Sequence, residues 1–85
     1  MEMITTEVFT NELTNILNEA KLKGISYIDI QSRDLHIRVG GYPGKNHRMP
    51  TCCTVMKKMM KSRDYIINQP PKGLGATLVI RYYIE

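Results

Sequence analysis

The sequence predicts a small α+β domain in which three helices pack on a three-stranded antiparallel sheet. Two observations lead to this prediction. The chain has 85 residues, which is enough for one domain spanning residues 1–85. Its periodic segments follow one another in the order helix, strand, helix, helix, strand, strand.

The first helix is predicted over residues 6–23. Thr5 or Thr6 can cap its N-terminus, and Glu7 lies in the first turn, where the helix dipole favours negative charge. Gly24 follows as a C-terminal stop. The apolar side chains that recur at helical spacing are Phe9, Leu13, Ile16, Leu17 and Ala20.

Residues 27–30 form a short alternating strand, but the next segment has two interpretations. Apolar residues alternate with polar ones over residues 35–39, which would allow a hairpin with residues 27–30. Ser32 is also a good N-cap, and Gly40 and Gly41 end the segment as a helix C-cap would. We expect a short second helix, because another helix follows it.

The third helix is predicted over residues 48–61, and Pro50 is compatible only with its first turn. Asn46 is a candidate cap, and Cys53 is expected at the margin of the core. The side chains expected to face the core are Cys52, Val55, Met56 and Met59. Those expected on the opposite side are Thr54, Lys57, Lys58 and Lys61, with Thr51 on the flank.

The sequence pattern of the last third of the chain predicts two strands joined by a long loop. Residues 64–67 are expected to form a strand, and residues 68–75 form a loop stiffened by Pro70 and Pro71. Residues 76–84 are the clearest strand. The side chains expected on one of its faces are Leu78, Ile80, Tyr82 and Ile84.

The formal net charge of +4 is unevenly distributed. Residues 1–34 carry three basic and six acidic residues, a balance of −3, whereas residues 35–85 carry nine basic and two acidic residues, a balance of +7. This asymmetry favours a polyanionic partner for the later half of the chain. A solvated basic surface with no partner is the alternative explanation.

This order of elements, with the charge on the third helix and the last loop, resembles the winged-helix variant of the helix-turn-helix. The resemblance covers most of the chain and implies that residues 48–61 are a recognition helix and residues 68–75 a wing. It also implies that residues 27–30 are the third strand, paired with residues 76–84. The chain departs from the pattern at residues 40–47, because a helix-turn-helix usually has a turn of about 3–4 residues. The stretch from Gly40 to Cys53 is also similar to a segment of small bacterial proteins found near, or fused to, restriction-type nucleases and mobile elements.

The resemblance implies that the partner is double-stranded DNA, with the third helix in the major groove and the wing on the backbone. Residues at the start of a recognition helix reach base edges, and lysines farther along it meet phosphates. The expected DNA-binding residues are His47, Arg48, Thr51, Thr54, Lys57, Lys58, Lys61 and Lys72. For Arg48 the alternative is an ion pair with an acidic residue of the first helix, and for the lysines it is an ordinary solvated helix face.

A protein-interaction module is the alternative function, and its contact surface would be the acidic outer side of the first helix (Glu7, Glu12, Glu19). A homodimer is compatible with the small size of the chain. A small zinc-binding domain is a lesser alternative, drawing on His36, His47, Cys52 and Cys53.

No enzyme and no cofactor are expected. The glycine-rich turn lacks the G-x-x-x-x-G-K-[ST] spacing of a phosphate loop, and a Cys-His nucleophile would lack a third orienting residue. Adjacent cysteines seldom bind one metal ion, because neighbouring helical residues point about 100° apart. Two unpaired cysteines, the absence of a run of about 20 apolar residues and an acidic N-terminus lead us to expect a cytoplasmic protein with no membrane partner.

Overall fold

A computed structural model describes residues 5–44 and 47–84 as three α-helices and a three-stranded antiparallel sheet. In chain order the elements are α1 (Thr6–Leu22), β1 (Tyr27–Gln31), α2 (Ser32–Val39), α3 (Met49–Lys58), β2 (Tyr65–Asn68) and β3 (Val79–Tyr83). The predicted α+β class is confirmed. No helix in the described ranges is long and apolar enough to cross a membrane.

The strand order in the sheet is β1-β3-β2, so the last strand lies between the other two. The predicted pairing of β1 with the last strand is therefore confirmed, and Tyr27 lies opposite Tyr83 at one end of that pair. The pairing of β2 with β3 is interrupted by an irregularity between Ile66 and Asn68. Strand β2 begins one residue later than predicted, since the carboxylate of Asp64 accepts hydrogen bonds from the backbone of Lys61 and Tyr83, both at 2.8 Å.

Residues 35–39 are helical, so the strand interpretation is excluded and the helix interpretation is confirmed. The predicted N-cap was wrong. Ser32 is the first residue of α2, directly after β1, and its hydroxyl donates a hydrogen bond to the backbone oxygen of Gly75. The first amides of α2 are satisfied instead by chain carbonyls: Ser32 donates to Leu78 at 2.8 Å, and Arg33 donates to Ala76 at 3.3 Å.

The same contacts explain why β3 is shorter than predicted. The carbonyls of Ala76 and Leu78 bond to the start of α2 and not to a neighbouring strand. The segment before Val79 is therefore a support for α2, and regular pairing extends only over Val79–Tyr83.

Helix α3 begins after Arg48, as predicted, but ends at Lys58 rather than at residue 61. Lys61 therefore lies in the turn that leads to β2. Cys53 was expected at the core margin and is instead fully buried. Asn46, the candidate cap, lies outside the described residues.

The three helices pack against each other and over one face of the sheet. One cluster of buried side chains fills the space between them: Phe9, Leu13, Ile30, Leu35, Met49, Cys52, Cys53, Val55, Met56, Leu78, Ile80 and Tyr82. Tyr82 links the layers by a hydrogen bond as well, because its hydroxyl donates to the backbone oxygen of Met56 at 2.8 Å. The solvent side of α3 is thereby fixed relative to the sheet.

Candidate nucleic-acid interface

The start of α3 is held by a buried imidazole. His36, on α2, is fully buried, and its Nε2 atom accepts a hydrogen bond of 2.8 Å from the backbone N–H of Arg48. Arg48 is the N-cap residue of α3 and has no side-chain capping bond. An Nε2 atom that accepts requires the proton of a neutral ring to lie on Nδ1. That Nδ1 atom is the one buried side-chain polar atom of the described residues that has no hydrogen-bond partner.

Aromatic rings surround His36 and fill the turn between α2 and α3. Phe9 of α1 meets the imidazole edge-on at a centroid distance of 5.0 Å, and Tyr42 lies 5.3 Å from it. The ring of His47 lies 6.2 Å from His36 and 5.6 Å from Tyr42. The backbone of the turn is equally constrained, since a Cβ atom on Gly44 would lie only 2.9 Å from the carbonyl oxygen of Gly41. The described residues of this connection thus pack around His36 and help to set the position of α3.

His47 and Arg48 lie exposed at the N-terminal end of α3. The Nδ1 atom of His47 accepts a hydrogen bond of 3.3 Å from the backbone N–H of Met49, which satisfies one of the free amides at the start of the helix. The Arg48 side chain makes no ion pair with a described residue, and Glu12 of α1 pairs with Arg38 instead, at 2.9 Å. Among the described residues, Arg48 therefore does not form the ion pair with α1 that was the alternative to DNA contact.

The predicted division of α3 into two faces is largely confirmed. Thr54 and Lys58 are exposed and Thr51 is half-buried, whereas Cys52 and Met56 are buried. The Thr54 hydroxyl donates to the backbone oxygen of Pro50 at 2.9 Å, a common bond for threonine within a helix. The solvent side of α3 therefore presents small polar groups first and a cation later.

Lys57 has a different environment from its neighbour Lys58. It is half-buried, and its Nζ atom donates a hydrogen bond of 2.6 Å to the backbone oxygen of Gly73. Gly73 has a φ of +79°, a value that favours glycine, and lies next to the exposed Lys72. The lysine thus ties the loop after β2 to α3 and brings Lys72 to the same side of the molecule.

Cys53 makes a second contact between α3 and this loop. Its sulfur accepts from the backbone N–H of Gly75 and donates to the backbone oxygen of the same residue, both at 3.3 Å. The loop over residues 68–75 consequently packs along α3 and the start of α2.

Both thiols are buried structural groups. Cys52 donates to the backbone oxygen of Ser32 at 3.5 Å, and burial, with a smaller contribution from Cys53 beside it, raises the pKa of the Cys52 thiol from 9.0 to about 12. A thiol that stays neutral is a poor nucleophile and a poor metal ligand. Over the described ranges, no group of three or more His, Cys, Asp or Glu side chains is placed to hold a metal ion.

The structure brings most of the expected DNA-binding residues to α3 and the loop beside it, and Lys61 is exposed in the turn just beyond the helix. Sequence reasoning missed the role of His36 in holding Arg48 and the role of Lys57 in holding the loop. For His36, the signal in the sequence was a single histidine on the apolar face of a helix, next to a glycine-rich turn. Comparison of the chain with protein-family models, curated proteins and solved structures found no match.

Proposed function

We propose that the chain is a winged-helix DNA-binding module that places α3 in the major groove of duplex DNA and the loop over residues 68–75 on the backbone. The observation that carries this proposal is the row of exposed cations from Arg48 through Lys58 to Lys61, with Lys72 on the loop tied to α3 by Lys57. Cations on the solvent side of a helix, and on the loop and turn beside it, are suited to contact the phosphates that border a groove.

The proposal assigns different roles to the two ends of the row. Arg48, at the front of α3, would contact guanine, for which a guanidinium is the common partner. His47, Thr51 and Thr54 would make less specific contacts near the same base pairs. Lys57, Lys58, Lys61 and Lys72 would contact phosphates.

The described contacts of the turn are consistent with this proposal. A recognition helix must be held at a defined angle, and here the imidazole of His36 and the ring of Tyr42 provide the packing that a shorter turn obtains from its backbone alone. The domain is proposed to act as a regulator or as the targeting part of a larger system, with no chemistry of its own.

Fluorescence anisotropy with labelled duplex DNA at several salt concentrations tests the proposal. Lys58→Ala should weaken binding to every sequence alike and reduce the slope of log K against log salt by about 0.9. Arg48→Ala should cost about 1–3 kcal/mol on a site selected from random duplexes and much less on random DNA. Lys23→Ala, which removes an exposed lysine just beyond α1, is the charge-matched control and should bind like the parent.

The proposal fails if the parent shows no salt-dependent binding and both variants behave like Lys23→Ala. The protein-interaction module would then be the better explanation of the fold.

A further inference from the structure

The face of the sheet that points away from the helices is unusually aromatic. Alternate residues of the strands bring side chains to it, and we call the aromatic and charged members of this set the outer sheet face: Tyr27, Asp29, Tyr65, Arg81 and Tyr83. In the register of the sheet, Tyr27 lies opposite Tyr83, and Arg81 lies opposite both Asp29 and Tyr65. Their neighbours Ile80 and Tyr82 point the other way and are buried in the core.

These side chains hold one another in place. The Arg81 guanidinium lies 4.1 Å from the Tyr27 ring centroid and 5.7 Å from that of Tyr65. It also donates to both carboxylate oxygens of Asp29, at 2.8 and 3.0 Å, and to the Tyr65 hydroxyl at 3.0 Å. Tyr83 lies between the other two tyrosines, with centroid distances of 5.8 Å to Tyr27 and 6.4 Å to Tyr65. The rings are therefore pre-positioned, and a ligand would lose little entropy in ordering them.

The face remains open to solvent and is bordered by the cation of Arg63. Tyr27 and Tyr65 keep 44% and 45% of their surface exposed. The Asp29 carboxylate is engaged by Arg81, whereas Arg63, 4.6 Å from the Tyr83 centroid, makes no ion pair with a described residue. The face therefore presents aromatic rings and guanidinium planes, and Arg63 beside it has no ion-pair partner among the described residues.

We propose that the outer sheet face binds single-stranded nucleic acid by stacking its bases on Tyr27, Tyr65 and Tyr83. Bases stack on tyrosine rings and on guanidinium planes, and two or three aromatic side chains on a small sheet hold a similar number of bases. Arg63 provides the attraction for the phosphate backbone. Because the hydrogen-bonding groups of Arg81, Asp29 and Tyr65 already bond to each other, the contact is by stacking and tolerates both DNA and RNA and most sequences.

The size of the face favours this ligand over a second copy of the chain. Strands of four and five residues at normal spacing cover roughly 17 by 15 Å, or about 250 Å². A stable protein interface buries about 800 Å² of accessible surface on each partner, so a contact confined to this face would fall short of one. It lies across the core from α3, and the proposal is independent of duplex binding by that helix.

The experiment measures binding of labelled strands of about 15 thymidines or uridines by fluorescence anisotropy and by quenching of intrinsic tyrosine fluorescence. The chain has no tryptophan and five tyrosines, three of which are on this face, so stacking should quench much of the signal. Tyr27→Leu and Tyr65→Leu should each weaken binding about tenfold, whereas Tyr65→Phe should retain it, because the ring and not the hydroxyl does the stacking. Arg63→Gln should reduce the salt slope by about 0.7.

The proposal is supported if either strand binds the parent and Tyr65→Phe alike and binds the leucine variants more weakly. Duplex binding should be unchanged in Tyr65→Leu. The proposal is wrong if the folded parent binds neither strand, or if Tyr65→Leu and Arg63→Gln bind the strands as the parent does. Sedimentation that shows a dimer lost in Tyr65→Leu, without strand binding, would identify the face as a protein interface instead. Arg63→Gln keeps the test valid if a leucine variant does not fold, because Arg63 is exposed and its substitution removes only a charge.

Discussion

His36 shows how a single side chain can determine the position of a helix. It is fully buried, and the only hydrogen bond of its imidazole within the described residues is accepted from the backbone N–H of Arg48. A backbone amide that is withdrawn from water needs an acceptor, and losing it costs about 1–3 kcal/mol. The imidazole therefore links α2 to the first residue of the helix that we propose to contact DNA.

Replacing His36 by phenylalanine tests this role, because the ring stays and the acceptor is lost. We expect His36→Phe to lower the free energy of unfolding by about 1–3 kcal/mol, measured by urea denaturation. Lys58→Ala, at an exposed position of α3, should change it by about 0.5 kcal/mol or less. Equal effects of the two substitutions would show that the bond to Arg48 contributes nothing to stability.

Two buried groups that can lose a proton at high pH, the Cys52 thiol and the Tyr82 hydroxyl, make the free energy of unfolding depend on pH. Burial raises the pKa of the Cys52 thiol to about 12, and burial also raises the pKa of the Tyr82 hydroxyl, with a smaller contribution from Asp64. A group whose pKa is higher in the folded protein than in the unfolded chain stabilises the fold fully below the unfolded value. That stabilisation is lost as the pH rises toward the folded value.

The free energy of unfolding should therefore decrease as the pH is raised from 9.0 toward 12, as the unfolded chain loses protons that the folded protein keeps. Denaturation in urea at a series of pH values measures the decrease. In Cys52→Ala the decrease should be smaller, because one of the two groups has been removed. An unchanged free energy over this interval would contradict the assigned burial of the thiol.

At the scale of elements, α3 and the loop over residues 68–75 behave as one unit. Lys57 and Cys53 lie one helical turn apart and bond to Gly73 and Gly75 respectively. Regular pairing of β2 with β3 ends before the tip of the hairpin, so these contacts supply the support that a ladder of backbone bonds would otherwise give.

Two adjacent lysines allow this coupling to be measured with a matched control. Lys57→Ala should lower the free energy of unfolding by about 1 kcal/mol, because it removes a charged donor from a partly buried carbonyl. Hydrogen exchange at the amides of Gly73 and Gly75 should become faster in the same variant. Lys58→Ala, whose parent side chain is exposed, should change neither quantity. Faster exchange in both variants would mean that charge and not the bond to Gly73 is responsible.

At the scale of the whole molecule, the structure separates two surfaces of different chemistry. One comprises the solvent side of α3 and the adjoining loop, with cations and small polar groups. The other is the outer sheet face, with aromatic rings and guanidinium groups. The buried core lies between the two surfaces, and they share no side chain. A substitution on one surface should therefore leave the other intact.

The fold should be independent of metal ions. The sulfur atoms of Cys52 and Cys53 bond to backbone groups of Ser32 and Gly75, and burial keeps the Cys52 thiol protonated. Treatment of the purified protein with a chelator should leave the melting temperature unchanged. Stoichiometric zinc, lost together with the folded structure on chelation, would overturn this prediction.

The sequence by itself determined the class of fold, the element order and the two sides of α3. Apolar periodicity reports backbone geometry, so it located α1 and α3 and correctly placed Cys52 and Met56 inside. The choice of helix for residues 35–39 rested on the glycines at 40 and 41 and on the helix that follows, since alternation alone would have indicated a strand. The expected DNA-binding residues were chosen by charge and position, and this choice stays a prediction.

Only the tertiary structure decided which of those side chains are available and what holds them. His36 meets Arg48 across 12 positions of the chain, Lys57 meets Gly73 across 16, and Asp29 meets Arg81 across 52. Local patterns carry no information about such partners, because each bond depends on how the helices and the sheet pack together. For the same reason the start of β3 was placed wrongly: the carbonyls of Ala76 and Leu78 bond to the amides of α2, a competition that no pattern within residues 76–84 reveals.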